Sequence, residues 1–129
     1  MSEKLHFHKK ITQCTINNTH IRCFNMLNKQ KISELSATAK RVLPSNGEAW
    51  LFGSQARGTS NEASDWDILI LLDKERISLD DYDNFVYPFL EIGWNIDAAV
   101  SPIIYTKDNW ERMSFTPFYK NVTKDKIRL

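Results

Sequence analysis

Long apolar runs are missing: nothing in the 129 residues approaches the roughly 18 consecutive apolar residues of a membrane helix. No secretory apolar core follows the start. Cysteine is scarce, and two residues, Cys14 and Cys23, make no disulfide framework. A charge excess of either sign is missing too. With 17 basic and 16 acidic residues the net charge is +1, so no bulk pull toward nucleic acid or an anionic membrane surface is indicated. Repeats and low-complexity tracts are also lacking. A hydrophobic content of 42% and a charged content of 26% belong to an ordinary soluble globular chain. Its length fits one domain that buries a core without disulfides or a structural metal. A cytoplasmic protein is expected.

The chain is uneven. Its three histidines (His6, His8, His20) and both cysteines precede Met26, as do Lys4, Lys9, Lys10 and Arg22 against one acid, Glu3. Without that segment 13 basic and 15 acidic residues remain. The spacing of His6, His8, Cys14 and Cys23 fits none of the usual zinc patterns. Residues 1–25 read as a poorly ordered extension, or as a leader upstream of a start at Met26, and residues 26–129 as the domain.

Ile32, Leu35, Ala39, Val42 and Leu43 recur at helical spacing over 28–43, and Pro44 stops the pattern. A strand is expected at Glu48–Phe52, then one or two helical turns over Ser54–Arg57 closed by Gly58, then a second strand at Asp65–Leu72. Ser78 is placed to cap a helix with Asp81 in the capping-box position, and Pro88 should kink or divide that helix before Gly93 ends it. A third strand is expected at 94–102, then short helices near 109–113 and 117–121. This order implies an α+β fold with a small sheet.

The stretch FGSQARGTSNEASDWDILILL, Phe52 to Leu72, concentrates the chemistry. Aspartate is disfavoured in strands, yet Asp65 and Asp67 open an otherwise apolar one. Residues two apart share a face, with Cα atoms roughly 6.5–7 Å apart. Such a pair can share one divalent ion, or bridge two about 3.5–4 Å apart. Oxygen-only ligands favour magnesium or manganese over zinc. Asp97, read as the polar face of the third strand, would join the pair if that strand is its neighbour. Gly53 and Ser54 supply a turn whose backbone amides can approach an anion closely. Arg57 suits either a phosphate or a structural partner among nearby acids such as Glu62 or Asp65.

Gly53-Ser54-Gln55-Ala56-Arg57-Gly58, followed by Ser64-Asp65-Trp66-Asp67, resembles the signature of the DNA polymerase β-like nucleotidyltransferase superfamily, and more narrowly its bacterial minimal nucleotidyltransferase domains. The resemblance covers Met26–Leu129, and the ending PFYKNVTKDKIRL is similar too, although a glycine often stands near the position of Lys126. It implies a palm-like fold, a small mixed sheet flanked by helices. It also implies a nucleoside triphosphate, ATP in the first instance, held by Gly53, Ser54 and Arg57. Asp65, Asp67 and Asp97 would be catalytic and would ligate two Mg²⁺ ions, or Mn²⁺. The implied reaction moves a nucleoside monophosphate to a hydroxyl of an acceptor, with a small helical HEPN-type protein as the expected partner. The alternative is an antitoxin or nucleotide-binding module of such a pair, without meaningful turnover. Of the aromatic residues, Trp66 and Trp94 are expected in the core or at a partner. The basic residues Lys120, Lys124, Lys126 and Arg128 are expected on a solvated tail.

Overall fold

The computed structural model describes residues 20–61 and 64–129, with side chains from Met26 onward. The expectations for His6, His8, Cys14 and Glu62, and for most of the 1–25 segment, lie outside the described residues. Helix α1 is His20–Val42. It begins ahead of the expected start and stops before Pro44, whose ring cannot continue a helix. Leu27, Leu35 and Ala39 line its buried face, and buried Thr38 donates its hydroxyl to the Glu34 carbonyl at 2.9 Å.

Strands β1 (Glu48–Phe52), β2 (Trp66–Leu72), β3 (Val100–Thr106) and β4 (Ile127–Arg128) form one mixed sheet in the order β3-β2-β1-β4. β1 runs antiparallel to β2 and β4, and β2 runs parallel to β3. On one face Trp66, Ile68, Ile70 and Leu72 pack with Leu35, Ala39, Val86 and Phe89. On the other, Leu69 and Leu71 pack with Trp110 and Val122. Burial on both sides explains why β2 is apolar without alternation. Trp66 is therefore core, as expected. The α+β reading, with a small mixed sheet and flanking helices, is correct. Among the described residues no helix is long and apolar enough to cross a membrane.

A short turn of helix, α2 (Ser54–Arg57), joins β1 to the loop before β2. Between β2 and β3 the chain makes helix α3 (Leu79–Asp81), a π-turn at Tyr82–Val86 and helix α4 (Tyr87–Asn95). Ser78 and Asp81 form the expected capping box, with the Ser78 amide donating to Asp81 Oδ2 at 2.8 Å. Lys74 Nζ adds an ion pair to the same oxygen at 2.8 Å. Pro88 marks the break in the regular helix, as expected: the wide turn Tyr82–Val86 comes just before it and α4 starts at Tyr87, the ring having no N–H with which to continue the regular ladder.

The third strand is not where the sequence reading put it. Gly93 does not end α4; the helix continues through Asn95, and Trp94 is 61% exposed on it. A Cβ at Gly93 would lie 2.7 Å from Val100 Cγ2 and 2.9 Å from the Ala98 carbonyl oxygen, so glycine is required there by close approach to the start of β3. The left-handed position that ends the helix is taken by Asp97, at φ 56°. The Ala98 amide donates back to the Gly93 carbonyl at 2.8 Å, the closing bond of a Schellman turn. β3 then forms from the β-branched run after this turn. Pro102 is tolerated because β3 is an edge strand.

Helices α5 (Lys107–Arg112) and α6 (Pro117–Asp125) cover the second face and are longer than expected. Thr106 and Thr116 cap them, each hydroxyl accepting an amide at 3.1 Å. The final residues return to the sheet as β4. Arg128 and Lys107 each approach the Glu48 carboxylate to 3.1 Å, and Lys126 lies 4.3 Å above the Trp50 ring. Two of the tail's basic side chains therefore fasten β4 to β1.

A left-handed conformation costs an L-residue roughly 1–2 kcal/mol, least for aspartate, asparagine and glycine. Asp97→Gly should leave unfolding stability within about 1 kcal/mol of the parent, since the relieved strain is offset by added unfolded-state entropy. Asp97→Val should lose about 1–2 kcal/mol. Chemical denaturation measures both, and a Val variant as stable as the parent would contradict this account of the turn.

Candidate active site

The site grows from the end of β1. Gly53 has φ 77° and ψ −158°, a conformation in which an L-residue is strained. A Cβ there would also overlap Oδ2 of Asp67. Glycine thus does two things at once: it turns the chain into α2 and leaves the space that the Asp67 carboxylate fills. The Ala56 and Arg57 amides donate to the Gly53 carbonyl, each at 3.1 Å. The amides of Ser54 and Gln55 open the helix, where no preceding turn supplies them a carbonyl.

Asp67 faces this turn because β1 and β2 pair Phe52 with Asp67. Asp65 immediately precedes β2 and is exposed. Partial burial raises the Asp67 carboxyl above the usual carboxylate range; the neighbouring Asp65 charge adds to the rise, and Arg57 counters it. The Asp65 charge is thus felt at Asp67, two residues along the chain.

Arg57 has a partner that the sequence reading did not identify. Its Nη1 lies 2.8 Å from Oδ2 of Asp125 at the end of α6, a contact between residues far apart in sequence. Another residue outside the expected set, Gln55, joins Ser60 and Ser64. Its Nε2 donates to the Ser64 carbonyl at 3.1 Å, and its Oε1 accepts from the Ser60 hydroxyl at 2.7 Å. Phe52 meets Phe118 edge to face at 6.0 Å, so α6 closes the floor beside the carboxylates.

Asp97 stands in the turn before β3, among residues lining an open recess of 460 Å³ with Gly93, Trp94, Ala98 and Ala99. The structure does not bring it into one group with the pair. Among the described residues no three His, Cys, Asp or Glu side chains gather closely enough to hold a metal ion. The residue that β3 sets beside Asp67 is Ser101, whose hydroxyl lies 3.4 Å from Oδ2 of Asp65. Ser101 lies inside the expected strand, but a lone serine carries no signal of its own; the β-branched pair Ile103–Ile104 was the signal that the strand runs later. As a donor set, two carboxylates and a hydroxyl suit one hard divalent cation sharing phosphate oxygens.

Glycine turn, opening helix amides and the two carboxylates thus meet at one end of the sheet of an α+β domain. Residues 32–129 match the nucleotidyltransferase domain family, and the chain belongs to that family. It is also similar to a Sulfolobus solfataricus protein whose structure is described as that of a "putative nucleotidyltransferase". The two are 20% identical, with 80% of this chain and 82% of that one covered, at a TM-score of 0.47. Comparison with curated protein sequences gave no match.

An acid whose folded pKa is raised binds more protons folded than unfolded, so stability falls as pH climbs from the ordinary carboxylate range (about 3.9) through the folded value. Asp67→Asn should therefore be more stable than the parent at pH 7 without divalent cations. The gain should be below about 1 kcal/mol because the group is partly solvated, and it should vanish below about pH 3.5. Thermal melts across pH measure it; a less stable Asn variant at pH 7 would contradict the repulsion.

Proposed function

We propose that this site binds a nucleoside triphosphate with magnesium and transfers its nucleoside monophosphate to a hydroxyl. The observation that carries the reading is the Asp67 carboxylate packed against Gly53, at the point where the α2 amides begin. Membership of the nucleotidyltransferase domain family supports it. The triphosphate lies along Gly53 and Ser54, its anionic oxygens facing amides that have no internal partner. Arg57 remains half-exposed beside Asp125 and adds positive charge on the same side. Asp65 and Asp67 hold the cation, which when bound offsets phosphate charge as pyrophosphate leaves. The acceptor oxygen forms a bond to the α-phosphorus, the bond to the β-phosphate bridge breaks, and the hydroxyl proton passes to solvent or a carboxylate.

ATP is the donor in this proposal, a small helical HEPN-type protein is the acceptor, and the setting is cytoplasmic. Exposed Tyr87 and Trp94, in edge-to-face contact at 6.0 Å on α4, offer such a partner an aromatic patch. A second reading is a nucleotide-binding antitoxin without turnover, favoured by one observation: among the described residues no three His, Cys, Asp or Glu side chains gather to hold a metal ion.

Incubation with Mg²⁺, ATP labelled at the α-phosphate and cell lysate separates the two. Transfer predicts a labelled band with the wild type and at least a hundredfold less (about 2.7 kcal/mol) with Asp67→Ala. Intact ATP binding without any wild-type-specific band would support the binding module instead.

A further inference from the structure

Arg57 and Asp125 lie 68 positions apart in the chain, yet Arg57 Nη1 is 2.8 Å from Asp125 Oδ2. Local chemistry does not favour an acid at this place. Asp125 is the last residue of α6, where the negative end of the helix dipole repels a carboxylate. Its side chain is 13% exposed against 47% for Arg57, so the acid is turned inward and the guanidinium toward water. An ion pair this open to solvent contributes little to stability. Holding the fold together is therefore a weak reason for the acid.

The surroundings of Arg57 supply a stronger one. Arg57 closes the short helix that follows Gly53, its amide donating to the Gly53 carbonyl at 3.1 Å, and its charge is felt at Asp67. A guanidinium carries five N–H donors in a fixed fork. The contact with Asp125 runs through Nη1, so donors remain for phosphate. α6 is itself fixed against the sheet, with Val122 buried in the second-face core and Phe118 against Phe52. Phe118, Val122 and Asp125 follow one another at i, i+4 and i+7, one face of the helix. Asp125 is thus a fixed point for a flexible side chain.

We propose that Asp125 is a positioning residue for nucleotide binding, holding the Arg57 guanidinium beside the glycine turn for a phosphate group of the nucleoside triphosphate. The proposal rests on the nucleotide-binding reading above. A loose arginine gives up rotamer freedom when it grips a phosphate, whereas one already held has given it up beforehand. The Asp125 charge also repels phosphate, and substitution separates the two effects.

Calorimetry of α,β-methylene-ATP with Mg²⁺ on the full chain tests this, with thermal melts to show that each variant is folded. Arg57→Ala should weaken binding at least about tenfold, the loss of a charged hydrogen bond. Asp125→Ala should weaken it about threefold to tenfold. Added to Arg57→Ala, Asp125→Ala should weaken nothing further, because it acts through the arginine. Asp125→Asn keeps an acceptor oxygen and removes the repulsion, so it should bind at least as tightly as the wild type. Three results would overturn the proposal while leaving nucleotide binding intact: a folded Asp125→Ala or Arg57→Ala variant that binds like the wild type, an Asn variant as weak as the Ala variant, or losses that add in the double variant. No binding of nucleotide to the wild type would overturn both.

Discussion

The contact between the Asp67 carboxylate and the bare Cα of Gly53 is the constraint on which the site depends. Any side chain at position 53 overlaps that carboxylate and strains the turn. The contact fixes three things together. It sets the register in which Phe52 faces Asp67, it aims the first amides of α2, and it draws a charged group against backbone at the cost of a raised carboxyl pKa. Partial burial of an acid beside another acid is unfavourable unless a cation or anion-binding partner compensates. The fold tolerates that cost in one place, at the mouth of its most buried strand.

The sheet shows why the mouth is there. β2 is covered on both faces over Ile68–Leu72, but at its N-terminal end the second-face cover gives way to the Phe52–Phe118 contact and the Arg57–Asp125 ion pair. Helix α6 thus serves the core at Val122 and the site's edge at Phe118 and Asp125. Pairing to Asp125 holds Arg57 near Asp67 without committing its whole guanidinium, and its field lowers the cost of ionising Asp67.

Much of this was legible in the sequence because local chemistry and tertiary structure agree. Glu48–Phe52, the Gly53 turn, the Asp65/Asp67 pair and the Ser78 capping box are each specified by residues within a few positions of one another. The third strand was misplaced because three local signals pointed the wrong way. Gly93 reads as a helix end, yet it is there for close packing against Val100. Asp97 reads as a strand acid, yet it ends the helix. Pro102 reads as a strand end, yet an edge strand accepts it. The Arg57–Asp125 pair and the Asp67–Ser101 neighbourhood join segments far apart in the chain, and no local pattern marks them. β4 is too short to be read from the closing residues; only its pairing with Trp50 and Leu51 defines it.

The central claim, that Asp67 is held at a cost which a cation and nucleotide repay, is tested most directly by comparing melting temperatures of the wild type and Asp67→Asn at pH 7. Each is measured first in chelator and then with saturating Mn²⁺ and α,β-methylene-ATP. The account predicts that the order reverses, with the Asn variant melting higher in chelator and the wild type melting higher with the ligands. A wild type whose melting temperature does not rise with the ligands, or a variant that rises equally, would contradict it.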